Sequence, residues 1–155
     1  MTSDDFLAEY AEKKLIKPEN IGIDQIEKII KSAEKDLKVS EKLLSIDEGH
    51  AYETAYAAML HAGRAFVFVK GFRPSTNFQH KTVVNFTAHF LGDKYKTLIE
   101  KFDYMRKNRN NLIYEPWKVN ISMSDAKSAL KSAGEFIEII KEEIKKEHPQ
   151  RHFKF

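Results

Sequence analysis

Apolar residues recur along almost the whole chain at the three- and four-residue spacing of an amphipathic helix. Turn-forming glycines and prolines, together with capping residues, interrupt this spacing and divide the chain into helical segments. Six helices are predicted, over residues 3–15, 24–44, 50–70, 78–91, 93–113 and 122–146. No segment alternates apolar and polar residues as a half-buried strand would. The pattern therefore predicts an all-α fold, an up-and-down helical bundle of four main helices with short additional ones.

The predicted helix 50–70 is apolar nearly all round, which is typical of the central, most buried element of a bundle. Its many alanines would let neighbouring helices approach closely. His61 and Arg64 lie on one face of this helix and interrupt its apolar surface with a polar strip. Two interpretations of His61 follow. It is a hydrogen-bonded histidine of the core or of an interface, or it lines a polar groove together with Arg64.

Arg109 occupies a position that the helical pattern assigns to the core. The stripe on its helix consists of Leu98, Phe102, Met105, Arg109 and Leu112. This is the spacing of a core-facing surface. Because an unpaired guanidinium is costly in an apolar interior, Arg109 must meet a carboxylate, open into a subunit interface or face a groove that receives anions. The run 106–111 is basic and rich in amides, so anion binding is the leading interpretation. A structural arginine paired with a glutamate at the core edge is the alternative.

The length of 155 residues fits a single domain, predicted over 1–155, with residues 1–22 as an N-terminal helix and linker and 147–155 as a basic tail. The absence of cysteine excludes disulfides, cysteine-ligated zinc and a thiol nucleophile. No apolar run is long enough for a secretory signal or a bilayer-spanning helix. The expectation is a soluble, cytoplasmic protein without a membrane partner.

The formal net charge of +3 is too small to indicate nucleic-acid binding by itself, but basic residues gather at Arg106, Lys107 and Arg109 and in the tail. The tail is either an electrostatic handle for nucleic acid or a solvated end. There is no glycine-rich phosphate loop, no GxSxG motif and no aspartate cluster suited to a divalent metal. Neither a metal nor a cofactor is predicted, and any catalysis would be metal-independent acid–base or electrostatic chemistry.

Three segments, in this order, resemble the HEPN domains, the "higher eukaryotes and prokaryotes nucleotide-binding" helical bundles. Residues 55–65, AYAAMLHAGRA, look like the signature helix of that family. Residues 70–81, which begin with KGFRP and end with His-Lys, resemble the turn that follows this helix in bacterial and archaeal members. Residues 109–114, RNNLIY, fall where the family carries an Arg-Asn-x-x-x-His motif. The resemblance covers about residues 24–145.

This resemblance implies a bundle that dimerises and so brings two copies of the motif together in a positively charged cleft. Many members are metal-independent endoribonucleases, often toxins paired with a small nucleotidyltransferase, and others are non-catalytic companions that bind nucleotide or a partner protein. In the nucleases the motif arginine holds the scissile phosphate, and the histidine assists attack by the ribose 2′-hydroxyl. By resemblance, Arg109 has the phosphate role and Asn110 the neighbouring polar role.

Tyr114 departs from the family motif, which has histidine at this position. A tyrosine ordinarily has a pKa near ~10, so at neutral pH it is a poor general base. General acid–base help is worth about 10²–10⁴ in rate, and its loss would leave a weak nuclease or none. A tyrosine can still donate a hydrogen bond to phosphate or stack on a base. The variant motif therefore favours binding over cleavage.

The predicted function is binding of nucleotide or RNA, as a homodimer and as the companion of a small nucleotidyltransferase in a toxin–antitoxin type of system. The expected binding residues are Arg106, Lys107, Arg109, His61, Arg64 and His80. The first alternative is an active endoribonuclease toxin with Arg109, Asn110 and Tyr114 as its catalytic residues. In that case His61 or His80 would replace the motif base. The second alternative is a helical protein-interaction module in which Arg109 forms a buried ion pair.

Overall fold

The computed structural model describes residues 1–155. The helices and strands are α1 Ser3–Glu12, β1 Ile16–Pro18, α2 Ile23–Leu43, α3 Glu48–Val69, β2 Phe72–Pro74, α4 Gln79–Leu91, α5 Lys96–Tyr114 and α6 Met123–Glu147. Single turns of 3-10 helix lie just before and just after α5. The predicted all-α bundle is confirmed. None of the helices combines the length and the apolar character needed to cross a membrane.

Side chains cap three of the six helices at their starts, α1, α3 and α6. Ser122 accepts the Asp125 backbone N–H at 3.0 Å and begins α6, and a similar capping box begins α1. Asp47 accepts the His50 N–H at 2.8 Å and begins α3. The helices α2, α4 and α5 begin without a side-chain cap, and the N-cap residue of α4 is Phe78. The N–H groups in the first turn of α4 therefore have no side-chain cap.

The expectation that no strand is present is wrong. β1 and β2 pair antiparallel, with Ile16 opposite Pro74 and Pro18 opposite Phe72. Each strand has only three residues, too few to show an alternating pattern in the sequence. The pairing also joins segments that are distant along the chain. It ties the segment after α1 to the turn between α3 and α4, and so it fixes the chain that leads into α4.

The central helix is α3, as predicted, and it contacts α2, α4, α5 and α6. Its buried residues are Ala51, Tyr52, Ala55, Tyr56, Ala58, Met59, Ala62, Gly63, Ala65, Phe66 and Val67. The Ser40 hydroxyl donates to the Ala51 carbonyl at 2.6 Å and links α2 to α3 inside the core. Removal of this apolar surface from water is the main force that holds the bundle together.

The segment after α6 folds back onto the bundle. Arg151 forms an ion pair with Asp24 at the start of α2 and lies 3.6 Å from Glu27. The Phe155 ring has the Lys141 ammonium group 5.8 Å from its centroid. Carboxylates of α2 therefore neutralise part of the predicted basic tail.

The close approach of α3 to α4 at Gly63 gives a stability prediction. A Cβ atom at Gly63 would lie 2.5 Å from Cγ1 of the fully buried Val83. We expect Gly63→Ala to lower the free energy of unfolding, because overpacking costs about 1–3 kcal/mol. Alanine offsets this by only about 1 kcal/mol through its higher helix propensity. Urea unfolding followed by circular dichroism measures the difference.

Gly134 on α6 is the matched control, because a Cβ atom there would lie 3.8 Å from Leu37 Cδ2, an ordinary contact. Gly134→Ala should raise the free energy of unfolding by up to about 1 kcal/mol. Equal effects of the two substitutions would contradict the close approach of α3 to α4.

Candidate functional site

A cleft lies between the start of α4 and the second half of α5. Its volume is about 290 Å³, and one side is open to solvent. The lining residues are Thr76, Phe78, Gln79, His80, Lys81, Arg106, Arg109 and Asn110. His80, Arg106, Arg109 and Asn110, each with a role expected from the sequence, therefore meet in one place.

Arg109 lines this cleft without a carboxylate partner. It is half-buried, and its one side-chain hydrogen bond within the chain runs from Nη1 to Asn110 Oδ1 at 3.3 Å. No Asp or Glu oxygen lies within 4.0 Å of its guanidinium nitrogens. The ion pair that the sequence left open as an alternative does not form in the folded chain. Because a guanidinium has five N–H donors, most of those on Arg109 remain available to a ligand.

Asp103 is the one carboxylate that pairs with cations of the cleft. It accepts a hydrogen bond from Arg106 Nε at 2.9 Å and one from Lys81 Nζ at 3.2 Å. Lys107 Nζ lies 3.4 Å from its other oxygen. Burial would raise the pKa of Asp103, but the hydrogen bonds from Arg106 and Lys81 outweigh it and hold this pKa below its usual value. A single carboxylate thus faces three cations, and the cleft keeps an excess of positive charge.

His80, the second residue of α4, is half-buried beside the arginines. Its Nδ1 lies 3.0 Å from the Tyr56 hydroxyl of α3. Burial lowers the pKa of His80 below its usual 6.5, and the positive charges of three arginines lower it further. These are Arg109, Arg106 and Arg64. The imidazole is therefore neutral at pH 7. Burial raises the pKa of Tyr56, so its phenol stays protonated and either donates to Nδ1 or accepts from it.

Arg64 reaches from α3 to the start of α4, where it donates a hydrogen bond to Gln79 Oε1. It is half-buried, and burial lowers its pKa, with a smaller contribution from the charge of Arg73. Arg64 does not line the cleft itself, but it holds a residue of the rim and adds positive charge behind His80. The uncapped start of α4 brings the positive end of a helix dipole to the same place.

The other residues with an expected role lie outside the cleft. Nδ1 of His61 is 2.7 Å from Asp36 Oδ2, a contact that joins α3 to α2. Lys107 is exposed and lines a separate groove between α4 and α5. Tyr114, the last residue of α5, has 73% of its surface exposed. The side chain at the motif's histidine position is therefore not a wall of the cleft.

Phe78 lines the cleft, and Asp103 neutralises part of its positive charge. The sequence pattern did not single out either residue. A signal existed for Asp103, because residues three and four positions apart share a helix face and Arg106 and Lys107 follow it at those spacings. No signal existed for Phe78, which precedes α4 and belongs to no apolar stripe. Only the fold brings it to the cleft.

A larger groove of about 1080 Å³ lies between α2, α6 and the beginning of α5. Leucines, lysines and glutamates line it, without histidine or arginine. We place the functional site in the smaller cleft, because partly buried cations and a histidine with a lowered pKa come together there. No three His, Asp or Glu side chains anywhere in the chain are arranged to hold a metal ion.

Comparison with known families agrees with this fold. The HEPN domain family model matches residues 26–144, which include every residue that lines the cleft. No curated protein matches the sequence. Because the family model covers more than half of the chain, this protein belongs to the HEPN domain family.

Proposed function

We propose that this HEPN domain binds the phosphate groups of RNA or of nucleotides in the cleft between α4 and α5. The observation that carries the proposal is Arg109, a half-buried guanidinium without a carboxylate partner. Partial burial of an unpaired cation is unfavourable, and an anionic ligand removes that penalty. The planar fork of a guanidinium also matches phosphate oxygens in geometry and in charge.

The groups around Arg109 suit the same ligand. Arg106 and Lys81 share one carboxylate, so neither is fully neutralised. The open start of α4 supplies backbone N–H groups and a positive dipole end, which favour phosphate. The neutral imidazole of His80 can donate to a phosphate or sugar oxygen. These contacts address the backbone of a nucleic acid, so the binding is expected to be salt-dependent and tolerant of sequence.

The family resemblance adds two partners to this proposal. One is a second copy of the chain, in a homodimer, and the other is a small nucleotidyltransferase, in a toxin–antitoxin type of system. A second copy beside the first would enlarge the positive surface that attracts RNA. The end of α5 and the turn after it offer apolar surface for such a contact, because Ile113, Tyr114 and Trp117 are exposed there.

Replacement of Arg109 tests phosphate binding. Arg109→Ala should weaken binding of a single-stranded oligoribonucleotide about 10- to 100-fold, the effect of losing a charged hydrogen-bond donor. It should also flatten the plot of log affinity against log salt by about 0.7 per lost phosphate contact. Fluorescence anisotropy of a labelled RNA measures both quantities. The control is Arg151→Ala, which removes the same charge from the tail, where Arg151 pairs with Asp24. Equal losses in the two variants would contradict a site at Arg109.

The same substitution separates a binding residue from a structural one. Because Arg109 has no carboxylate partner, Arg109→Ala should change the free energy of unfolding by less than about 1 kcal/mol. A buried ion pair would instead lose about 3–5 kcal/mol. Asp103→Asn is the comparison, since it removes the carboxylate of an existing pair and should destabilise the fold more. Thermal and urea unfolding of both variants distinguish the two roles.

A second candidate function is metal-independent endoribonuclease activity, and the position of His80 favours it. His80 lines the cleft with Arg109. When Nδ1–H of His80 donates a hydrogen bond to the Tyr56 hydroxyl oxygen, Nε2 is unprotonated and can take the proton of a ribose 2′-hydroxyl. The 2′-oxygen then bonds to phosphorus, the bond to the 5′-oxygen breaks, and the 5′-oxygen takes a proton from water. The products would carry 2′,3′-cyclic phosphate and 5′-hydroxyl ends.

Incubation with a mixed RNA pool in EDTA tests this candidate. The wild type should leave cyclic phosphate ends, whereas His80→Ala and Arg109→Ala should leave the RNA intact. The cleavage rate should rise with pH and reach half of its maximum below pH 6.5, because the neutral form of His80 is the base and its pKa is lowered. His61→Ala is the control, since His61 pairs with Asp36 outside the cleft. RNA left intact by the wild type at high protein concentration removes the nuclease and leaves the binding proposal.

A further inference from the structure

Phe78 exposes an aromatic ring at the rim of the cleft. It lines the cleft together with His80, Arg106 and Arg109, and 77% of its surface is accessible. It does not pack against the hydrophobic core. Exposure of a large aromatic side chain beside a cluster of cations is uncommon in a folded chain, because aromatic residues are usually well buried.

Neither helix capping nor backbone preference explains a phenylalanine at this position. The N-cap favours Ser, Thr, Asp or Asn, whose side chains accept N–H groups of the first turn. Phe78 accepts none, so the start of α4 stays open. Its backbone has φ 55° and ψ 26°, the left-handed region that residues with a Cβ atom rarely adopt. The fold therefore presents the ring next to an open helix start without any local stabilisation from it.

We infer that Phe78 is a stacking platform for an unpaired base of single-stranded RNA, whose phosphate binds Arg109 and Arg106. The inference rests on the proposed phosphate binding and names the class of ligand. An aromatic ring stacks on the face of any base, which makes the contact tolerant of sequence. In a nucleotide, one sugar joins a flat base to a phosphate. In the cleft, an aromatic ring for the base likewise lies beside arginines for the phosphate.

The size of the cleft fits one nucleotide at a time. Its volume of about 290 Å³ is just below that of small-ligand pockets, which range over about 300–1,000 Å³. In a duplex the bases stack on each other, so their faces are not available to a ring at the rim of a cleft. An unpaired base can turn outward and stack on a side chain. Phe78 therefore selects single strands over duplexes, whereas the arginines attract both.

Binding of three anionic probes tests the platform with the 155-residue chain. The probes are a labelled single-stranded oligoribonucleotide, the same strand in a duplex, and inorganic polyphosphate, which has charge but no base. Phe78→Ala should weaken binding of the single strand about 5- to 150-fold and leave polyphosphate binding unchanged. Phe78→Trp should retain single-strand binding. Tyr104→Ala is the matched control, because Tyr104 is also an exposed aromatic residue, at 58%, and lies outside the cleft.

Fluorescence gives a direct readout of stacking. Trp117 is the only tryptophan of the chain, so the double substitution Phe78→Trp with Trp117→Phe leaves one indole at the rim of the cleft. Single-stranded RNA should quench its emission, because a stacked base lies against the ring, and polyphosphate should not. Quenching by polyphosphate as strong as that by RNA would overturn the platform.

The outcomes separate failure of the platform from failure of the phosphate site. The platform is overturned if Phe78→Ala binds the single strand as tightly as the wild type does, or loses affinity for polyphosphate to the same extent. Equal affinity of the wild type for single strand and duplex overturns it as well. If Arg109→Ala still lowers polyphosphate binding in these cases, the phosphate site stands. If the wild type binds neither RNA nor polyphosphate, the phosphate site fails and the platform fails with it.

Discussion

Burial of α3 against every other long helix is the constraint on which the rest of the molecule depends. The small residues of α3 let its neighbours approach closely, and at Gly63 the side chain of Val83 on α4 occupies the space of a missing Cβ. The polar groups that α3 directs towards α4 are the Tyr56 hydroxyl and the Arg64 guanidinium. Both contact the first turn of α4. The packing of the core therefore determines where the first turn of α4 lies relative to α5, and with it the shape of the cleft.

The electrostatics of the cleft follow from an imbalance between cations and carboxylates. Asp103 pairs with Arg106 and Lys81, and Arg109 has no carboxylate at all. The same excess of positive charge that suits a phosphate also lowers the pKa of His80. The positive charge that attracts an anion thus adds to the effect of burial, which is the larger cause of the neutral imidazole. A phosphate bound at Arg109 would offset that charge and raise the pKa of His80 towards its usual value.

The arginine and the tyrosine of the variant motif lie in different environments, although one helix carries both. Arg109 lines the cleft, whereas Tyr114 is exposed where α5 ends. Positions five apart on a helix point in different directions, since 3.6 residues make a turn. The histidine that shares the cleft with Arg109 is His80, which a different helix supplies. In this chain, the residues around Arg109 therefore come from α4 as well as from α5, and the motif alone does not identify them.

The sequence by itself determined the helical bundle, the central position of α3 and the family, because helical periodicity and caps are encoded by residues close together in the chain. It also indicated Arg109, since a charge on an apolar stripe is visible without a structure. The pairing of β1 with β2 could not be read, because each strand is short and its partner is remote. Tertiary structure alone decided that Arg109 has no carboxylate, that His61 pairs with Asp36, and that Phe78 stands at the cleft. These outcomes depend on which side chains of different helices come within a few ångströms, and no local pattern encodes that distance.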